Sequence, residues 1–372
     1  MRLFFLLVAA AMGLTSFGPS PAGQGWAHAL EPQVLAAAEG FTGGVAFYVR
    51  EVASGEEYGF AADTPMYLSS AVKVVVMLEV LRQTDAGLLS LHQRVRFRAE
   101  DVRDGVGPIG LGPPGRVFTV RQLLVLMMDH SDNAAADRLM GLVGLENLNN
   151  LPARRGVAFS RIDTLLGERR RIYSKLDPAG ARLTPRQIYE LGRCATNAER
   201  ARLFSRFADR RPAFSSADMD AAFEAFYADR INTASMRQVG QLLDQLSRCE
   251  GLSEQGCALA HKLMAECRTG KHRIRAGLPE DAAWEHKTGT QHHRACDIGI
   301  LYPRPGRPVV IAACTRGFTQ VRDAERLLAN LGRAVWKALG EPLALEATGR
   351  PQRRPTAPRA GSSRAVAPRD EG

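Results

Sequence analysis

Three strings, Ser70-Ala71-Val72-Lys73, Ser131-Asp132-Asn133 and Lys287-Thr288-Gly289, decide how this 372-residue chain is read. Each is weak alone: a Ser three residues before a Lys recurs by chance, and Lys-Thr-Gly is an ordinary turn. Their neighbours make them informative. Ser70 opens an apolar run, Val72 to Leu81, that reads as a buried helix. At spacing i, i+3 the Ser70 and Lys73 side chains share a helix face, with Cβ atoms about 5–6 Å apart. A serine hydroxyl is a poor nucleophile near neutral pH and needs a neighbouring base and a cradle for the oxyanion. A Lys at the start of an all-apolar helix is desolvated, which lowers its pKa and suits it to that task. The plainer alternative is an N-cap Ser followed by a snorkelling surface Lys.

Ser131-Asp132-Asn133 follows a helix capped by Thr119, with Val120, Leu123, Leu124 and Met127 as its apolar stripe. Polar residues of these types also favour a turn at a helix end, and catalytic residues commonly sit on such turns. Ser131 has the chemistry to pass a proton to a leaving group, and Asn133 offers an amide to a substrate carbonyl. Lys287-Thr288-Gly289-Thr290 lies in a strand-like segment. It supplies a cation, hydroxyls, a glycine that lets a ligand approach the backbone, and an N–H at Thr290 placed to be a second oxyanion donor.

In this order the three motifs are the signature set of class A β-lactamases and penicillin-binding proteins, and the chain resembles that family well beyond them. Gly105 to Ala135 is similar to the family's run into its second motif. Arg273 to Pro279 and Asp297 to Tyr302 are similar to the segments flanking its third. The likeness covers about residues 31–165 and 230–340. It implies an acyl-enzyme on Ser70, with Lys73 activating it and Ser131 shuttling a proton. By the same resemblance Asn133, Lys287, Thr288, Gly289 and Thr290 bind the substrate. The implied substrate is a small β-lactam or a cell-wall peptide; neither cofactor nor metal is implied.

One departure stands out. The family carries a deacylating Glu in a Glu-x-x-Leu-Asn string, and this chain has none; Leu166 falls at the ungapped position. Between Asp163 and Asn232 lies a surplus of about fifty residues, in which Glu168, Asp218, Asp220 and Glu224 are all open as replacements. Acylation with slow deacylation is therefore expected. A D,D-peptidase, an esterase or amidase, or a sensor that is stably acylated are the competing functions.

Arg2, the apolar run Leu3–Leu14 and Ala27-His28-Ala29 read as a signal peptide over residues 1–29, with an uncleaved anchor as the alternative. The expected location is periplasmic or secreted, with no membrane insertion once the signal is cleaved. Six cysteines suit an oxidising compartment. Cys296 with Cys314 and Cys249 with Cys257 are candidate pairs, although six cysteines allow fifteen pairings. His292-His293 reads as a loop pair rather than a metal site. Net charge is +10, and an Arg- and Pro-rich tail over 346–372, with six Arg, contributes to it and cannot order itself. Export argues against a nucleic-acid partner for that tail, and a monomer is expected.

The expected fold class is α/β (α+β), of β-lactamase/transpeptidase type. Residues 30–345 form the hydrolase domain, with a sheet subdomain over about 30–66 and 275–340 and a helical subdomain over about 67–274 inserted into it. Val45, Phe47 and Val49, then Tyr58 and Phe60, read as a hairpin. Strand patterns return at Ala283–Thr288, Ile298–Tyr302 and Val309–Thr315, before a closing helix over Gln320–Leu339. The site is expected between the two subdomains.

Overall fold

A computed structural model describes residues 25–105, 107–109 and 112–340. Helix α1 (Trp26–Ala38) leads into strands β1 (Gly44–Glu51), β2 (Glu57–Phe60) and β3 (Pro65–Tyr67). A 3₁₀ turn, Ser69–Val72, runs into α2 (Lys73–Asp85), followed by β4 (Arg94–Arg96) and β5 (Val117–Thr119). Next come α3 (Val120–Asp129), α4 (Asn133–Val143), α5 (Leu145–Arg154), α6 (Leu165–Ser174), α7 (Pro185–Gly192), α8 (Asn197–Phe207) and α9 (Ser216–Ala228). Strand β6 (Thr233–Ser235), α10 (Met236–Ser247), α11 (Glu254–Ala265), β7 (Ala283–Gln291), β8 (Arg294–Arg304), β9 (Arg307–Arg316) and α12 (Val321–Leu339) follow among the described residues.

The main sheet is antiparallel throughout, in the order β2-β1-β9-β8-β7, so both chain ends build it as expected. Period-two alternation gives each strand two apolar faces. Phe47, Val49, Ile311 and Ala313 point to α1 and α12, packing on Leu30, Val34, Leu327 and Leu331. Ala46, Tyr48, Val310 and Ala312 point the other way, into the core shared with the helical subdomain. Helix α10 can come this close because Gly240 has no side chain; a Cβ there would strike the Tyr48 ring.

Helix α2 is the centre of that second core. Every residue from Lys73 to Leu81 is buried, which is why the stretch is apolar nearly all round rather than striped; its one acid, Glu79, pairs with Arg82. The two proposed disulfides, Cys249–Cys257 and Cys296–Cys314, both form. The second ties cross-strand partners of β8 and β9.

The segment 166–231 holds α7, α8, α9 and most of α6 around a cluster of its own, which includes Ile172, Leu191, Phe204 and Phe226. Tyr67 belongs to that cluster and lies against Tyr227, with ring centroids 4.9 Å apart and the planes tilted by 43°. Helix α1 begins at Trp26 and so contains the expected cleavage residues Ala27-His28-Ala29. Residues 1–24 and the tail 346–372 lie outside the described residues. No helix among those described is long and apolar enough to cross a membrane.

Candidate active site

The expected residues converge where the 3₁₀ turn before α2, the α3–α4 turn, α6 and β7 meet. Lys73 is fully buried, and its Nζ lies 3.1 Å from Ser70 Oγ, 3.2 Å from Ser131 Oγ, 2.6 Å from the Ser131 carbonyl and 2.7 Å from Asn133 Oδ1. Among the described residues no carboxylate bonds it directly. Burial, reinforced by the nearby Lys287 charge, pushes its pKa well below the ordinary lysine value. The desolvation argued from the apolar run is therefore realised.

Local sequence holds this group in place. Asp132 caps α4 by accepting from Ala135 N (2.9 Å) and also accepts from Ile109 N (3.0 Å). Asn133 Nδ2 donates to the Asp104 carbonyl at 2.7 Å, which orients the amide that meets Lys73. Ser69 and Ser131 both have positive φ, +52° and +56°. Non-glycine residues bear such backbone at a cost of roughly 1–3 kcal/mol each, a pattern concentrated at functional sites. Ser69 Oγ donates to the Thr290 carbonyl at 2.7 Å, joining the turn to β7.

On β7 the structure adds detail to two of the expected residues. A Cβ on Gly289 would collide with the Leu68 carbonyl, so the missing side chain lets the turn before α2 approach the strand. Lys287 is fully buried beneath the strand, donates to the Thr288 carbonyl at 3.2 Å, and burial lowers its pKa. Thr288, Thr290 and Arg273 stand in the cavity wall. Arg273 donates to Thr290 Oγ1 (2.6 Å) and to the Gly289 carbonyl (2.9 Å), so it both shapes the strand and brings a cation to the cavity wall. Its position in the run before Lys287 was the one signal available for finding it.

Of the four acids left open, only Glu168 lines the cavity that contains Ser70, Ser131 and Asn133, a space of about 170 Å³. Asp218 caps the exposed start of α9, Asp220 faces His292, and Glu224 pairs with Arg294. Glu168 is buried; its carboxylate accepts from Asn232 Nδ2 (3.0 Å), Gln291 Nε2 (2.9 Å) and Arg169 (2.8 Å). Burial raises its pKa despite those donors. Although burial opposes it, the carboxylates of Asp104 and Glu168 hold the Arg169 guanidinium charged. Asp137 fixes the start of α6, accepting from Leu165 N (2.7 Å) and Leu166 N (3.0 Å). Tyr67, Arg169, Asn232 and Gln291 were not named as site residues from sequence, because their roles arise only from this packing.

His292 and His293 stack on one another, with centroids 3.7 Å apart. The described residues contain one cluster of metal-ligating types, Cys249, Cys257 and His261. Its two sulfurs are joined as a disulfide, and His261 Nδ1 lies 2.6 Å from Glu285.

A buried lysine bonded to a helix-start serine and to a second serine, facing a threonine-lined strand across a cleft between sheet and helices, defines a serine β-lactamase-like hydrolase. The model of the β-lactamase enzyme family matches residues 29–339, and the chain belongs to that family. Among curated relatives, the extended-spectrum β-lactamase PER-1 of Pseudomonas aeruginosa is 26% identical over 280 residues, covering 73% of this chain and 74% of its own. A β-lactamase of Streptomyces fradiae is 25% identical over 329 residues, covering 86% and 90%. The crystal structure of a β-lactamase from Xanthomonas campestris superposes with TM-score 0.65 at 22% identity, over 85% of this chain and 99% of that one. A point mutant of PBP-A, in an acyl-enzyme complex with penicillin G, gives TM-score 0.62 at 18% identity, over 83% and 95%. These solved structures establish the β-lactamase/transpeptidase-like fold.

Proposed function

We propose that the protein is an exported class A-type β-lactamase that works through an acyl-enzyme on Ser70, with Glu168 as the base that releases it. The observation that carries this reading is the Lys73 amine, set between the hydroxyls of Ser70 and Ser131. Neutral Lys73 takes the Ser70 proton as Oγ attacks the lactam carbonyl. The N–H groups of Ser70 and Thr290 take up the developing oxyanion. Collapse breaks the C–N bond, and Ser131 delivers to the leaving nitrogen the proton that Lys73 holds. The substrate carboxylate lies against Thr288, Thr290 and Arg273, while Lys287 adds positive potential from below. Glu168 then takes a proton from water as that water attacks the ester carbonyl; collapse breaks the bond to Ser70 Oγ, and the proton held by Glu168 passes to that oxygen, which regenerates Ser70 and frees the acid product. The two disulfides support an oxidising, exported location.

Three donors take up three of roughly four lone-pair sites on Glu168, which weakens the base that burial strengthens. Deacylation is therefore the slower step, and acyl-enzyme accumulates before steady turnover. Intact mass spectrometry beside turnover of a chromogenic cephalosporin tests this. The wild type should show a burst and one adduct that decays, Glu168→Gln one persistent adduct, and Ser70→Ala none. Wild-type turnover in Glu168→Gln would remove Glu168 from the mechanism. An adduct surviving Ser70→Ala would overturn the reading as a whole.

A further inference from the structure

A second cavity, of about 540 Å³, opens where α9 meets the ends of β8 and β9, and Tyr67 stands in the walls of both cavities. Three arginines line it: Arg230, Arg294 and Arg316. Arg294 and Arg316 are cross-strand partners on β8 and β9. Like charges placed directly opposite one another destabilise a sheet, so this pairing costs stability unless something negative lies between them.

Only part of that charge is answered by the protein. The Arg294 side chain is 8% exposed, lies over the Tyr227 ring at 4.1 Å, and donates to Glu224 at 2.7 Å and to the His293 carbonyl at 3.0 Å. Glu224 is the one acid in the wall, and its side chain is 54% exposed, so water screens much of its charge. Arg230 and Arg316 have no acidic partner among the described residues. The wall therefore carries three guanidinium groups against one carboxylate. Pro65, Met66 and Tyr227 supply an apolar surface beside them, the composition of a small-molecule site with a few fixed polar groups.

We propose that this cavity binds a small organic or inorganic anion carrying at least two carboxylate or phosphate groups, held between Arg230 and Arg316 with Arg294 beneath. Guanidinium forks match both oxyanion types bidentately. The site is separate from the Ser70 chemistry and does not depend on it.

Isothermal titration of the whole protein with citrate and with pyrophosphate, at ionic strength balanced with chloride, tests the proposal. One saturable site with Kd below about 1 mM is expected for at least one of them. The tighter anion identifies the ligand as a carboxylate or a phosphate. Charge-assisted hydrogen bonds are each worth roughly tenfold or more in affinity, so Arg230→Gln and Arg316→Gln should each weaken binding by about that factor. Both residues are exposed and leave the buried Arg294–Glu224 pair intact, and unfolding curves matching wild type will confirm the fold. Arg186→Gln, an exposed arginine of α7, should bind as wild type. No saturable binding of either anion would overturn the proposal. So would equal weakening by Arg186→Gln, which would mean diffuse surface charge.

Discussion

At the residue scale the chemistry turns on one nitrogen. Lys73 Nζ has four acceptors around it and, among the described residues, no bonded carboxylate. A neutral amine satisfies two of them and keeps a lone pair for the Ser70 proton; an ammonium gives up that lone pair and bears the desolvation cost. Lys73→Ala should slow acylation about 10²–10⁴-fold, the usual loss for a general base, as read by stopped-flow mixing with a chromogenic substrate. The pH profile checks the cause independently. Burial lowers the Lys73 pKa, so acylation should rise with pH along a limb lying well below the free-lysine value of about 10.4. A limb at or above that value would mean that Lys73 stays charged and is not the base.

At the scale of elements, short polar residues connect the helices to the site. Asp137 on α4 holds the first N–H groups of α6 and also the Arg103 guanidinium at 2.6 Å. Asp137→Ala leaves these groups unpaired, at an expected cost of about 1–3 kcal/mol in a urea unfolding curve. Glu168 sits in the first turn of α6, so deacylation should fall more than acylation, a split that single-turnover kinetics resolves. The Cys296–Cys314 bridge closes a loop of 18 residues across neighbouring strands. Replacing both cysteines with Ala should cost about 3 kcal/mol on the chain-entropy account, seen as a lower melting temperature with the acylation rate kept.

At the scale of the whole molecule, the inserted helices have their own core, and Tyr67 joins that core to the catalytic cavity. Phe226 is fully buried in it and meets the Tyr67 ring edge-on at 5.8 Å. Phe226→Ala should destabilise the protein by about 3–5 kcal/mol, measured by thermal unfolding. Because Tyr67 stands beside Glu168, the same change should slow hydrolysis of the acyl-enzyme even at temperatures where the fold is intact. Equal deacylation rates in wild type and variant would show that the insertion does not support the base.

Sequence by itself determined what lies within one element. The i, i+3 pair Ser70–Lys73, the Thr119 cap, the first hairpin and the three closing strands are local patterns, and each appears where its spacing placed it. The cysteines offered Cys249–Cys257 and Cys296–Cys314 only as candidates among fifteen pairings, and packing selected them. Packing between distant segments decided the rest. Glu168 could not be told from Asp218, Asp220 or Glu224 by composition. It is distinguished by donors 64 and 123 residues further along the chain, Asn232 and Gln291. In the same way Gly289 answers to a carbonyl on the turn before α2, and Lys287 is buried because β7 is covered on the side it faces. Periodicity and capping depend on neighbours within a few residues, so a sequence displays them. Which acid loses its water and meets a nucleophile depends on which surfaces close over it, and that is set only when the whole chain packs.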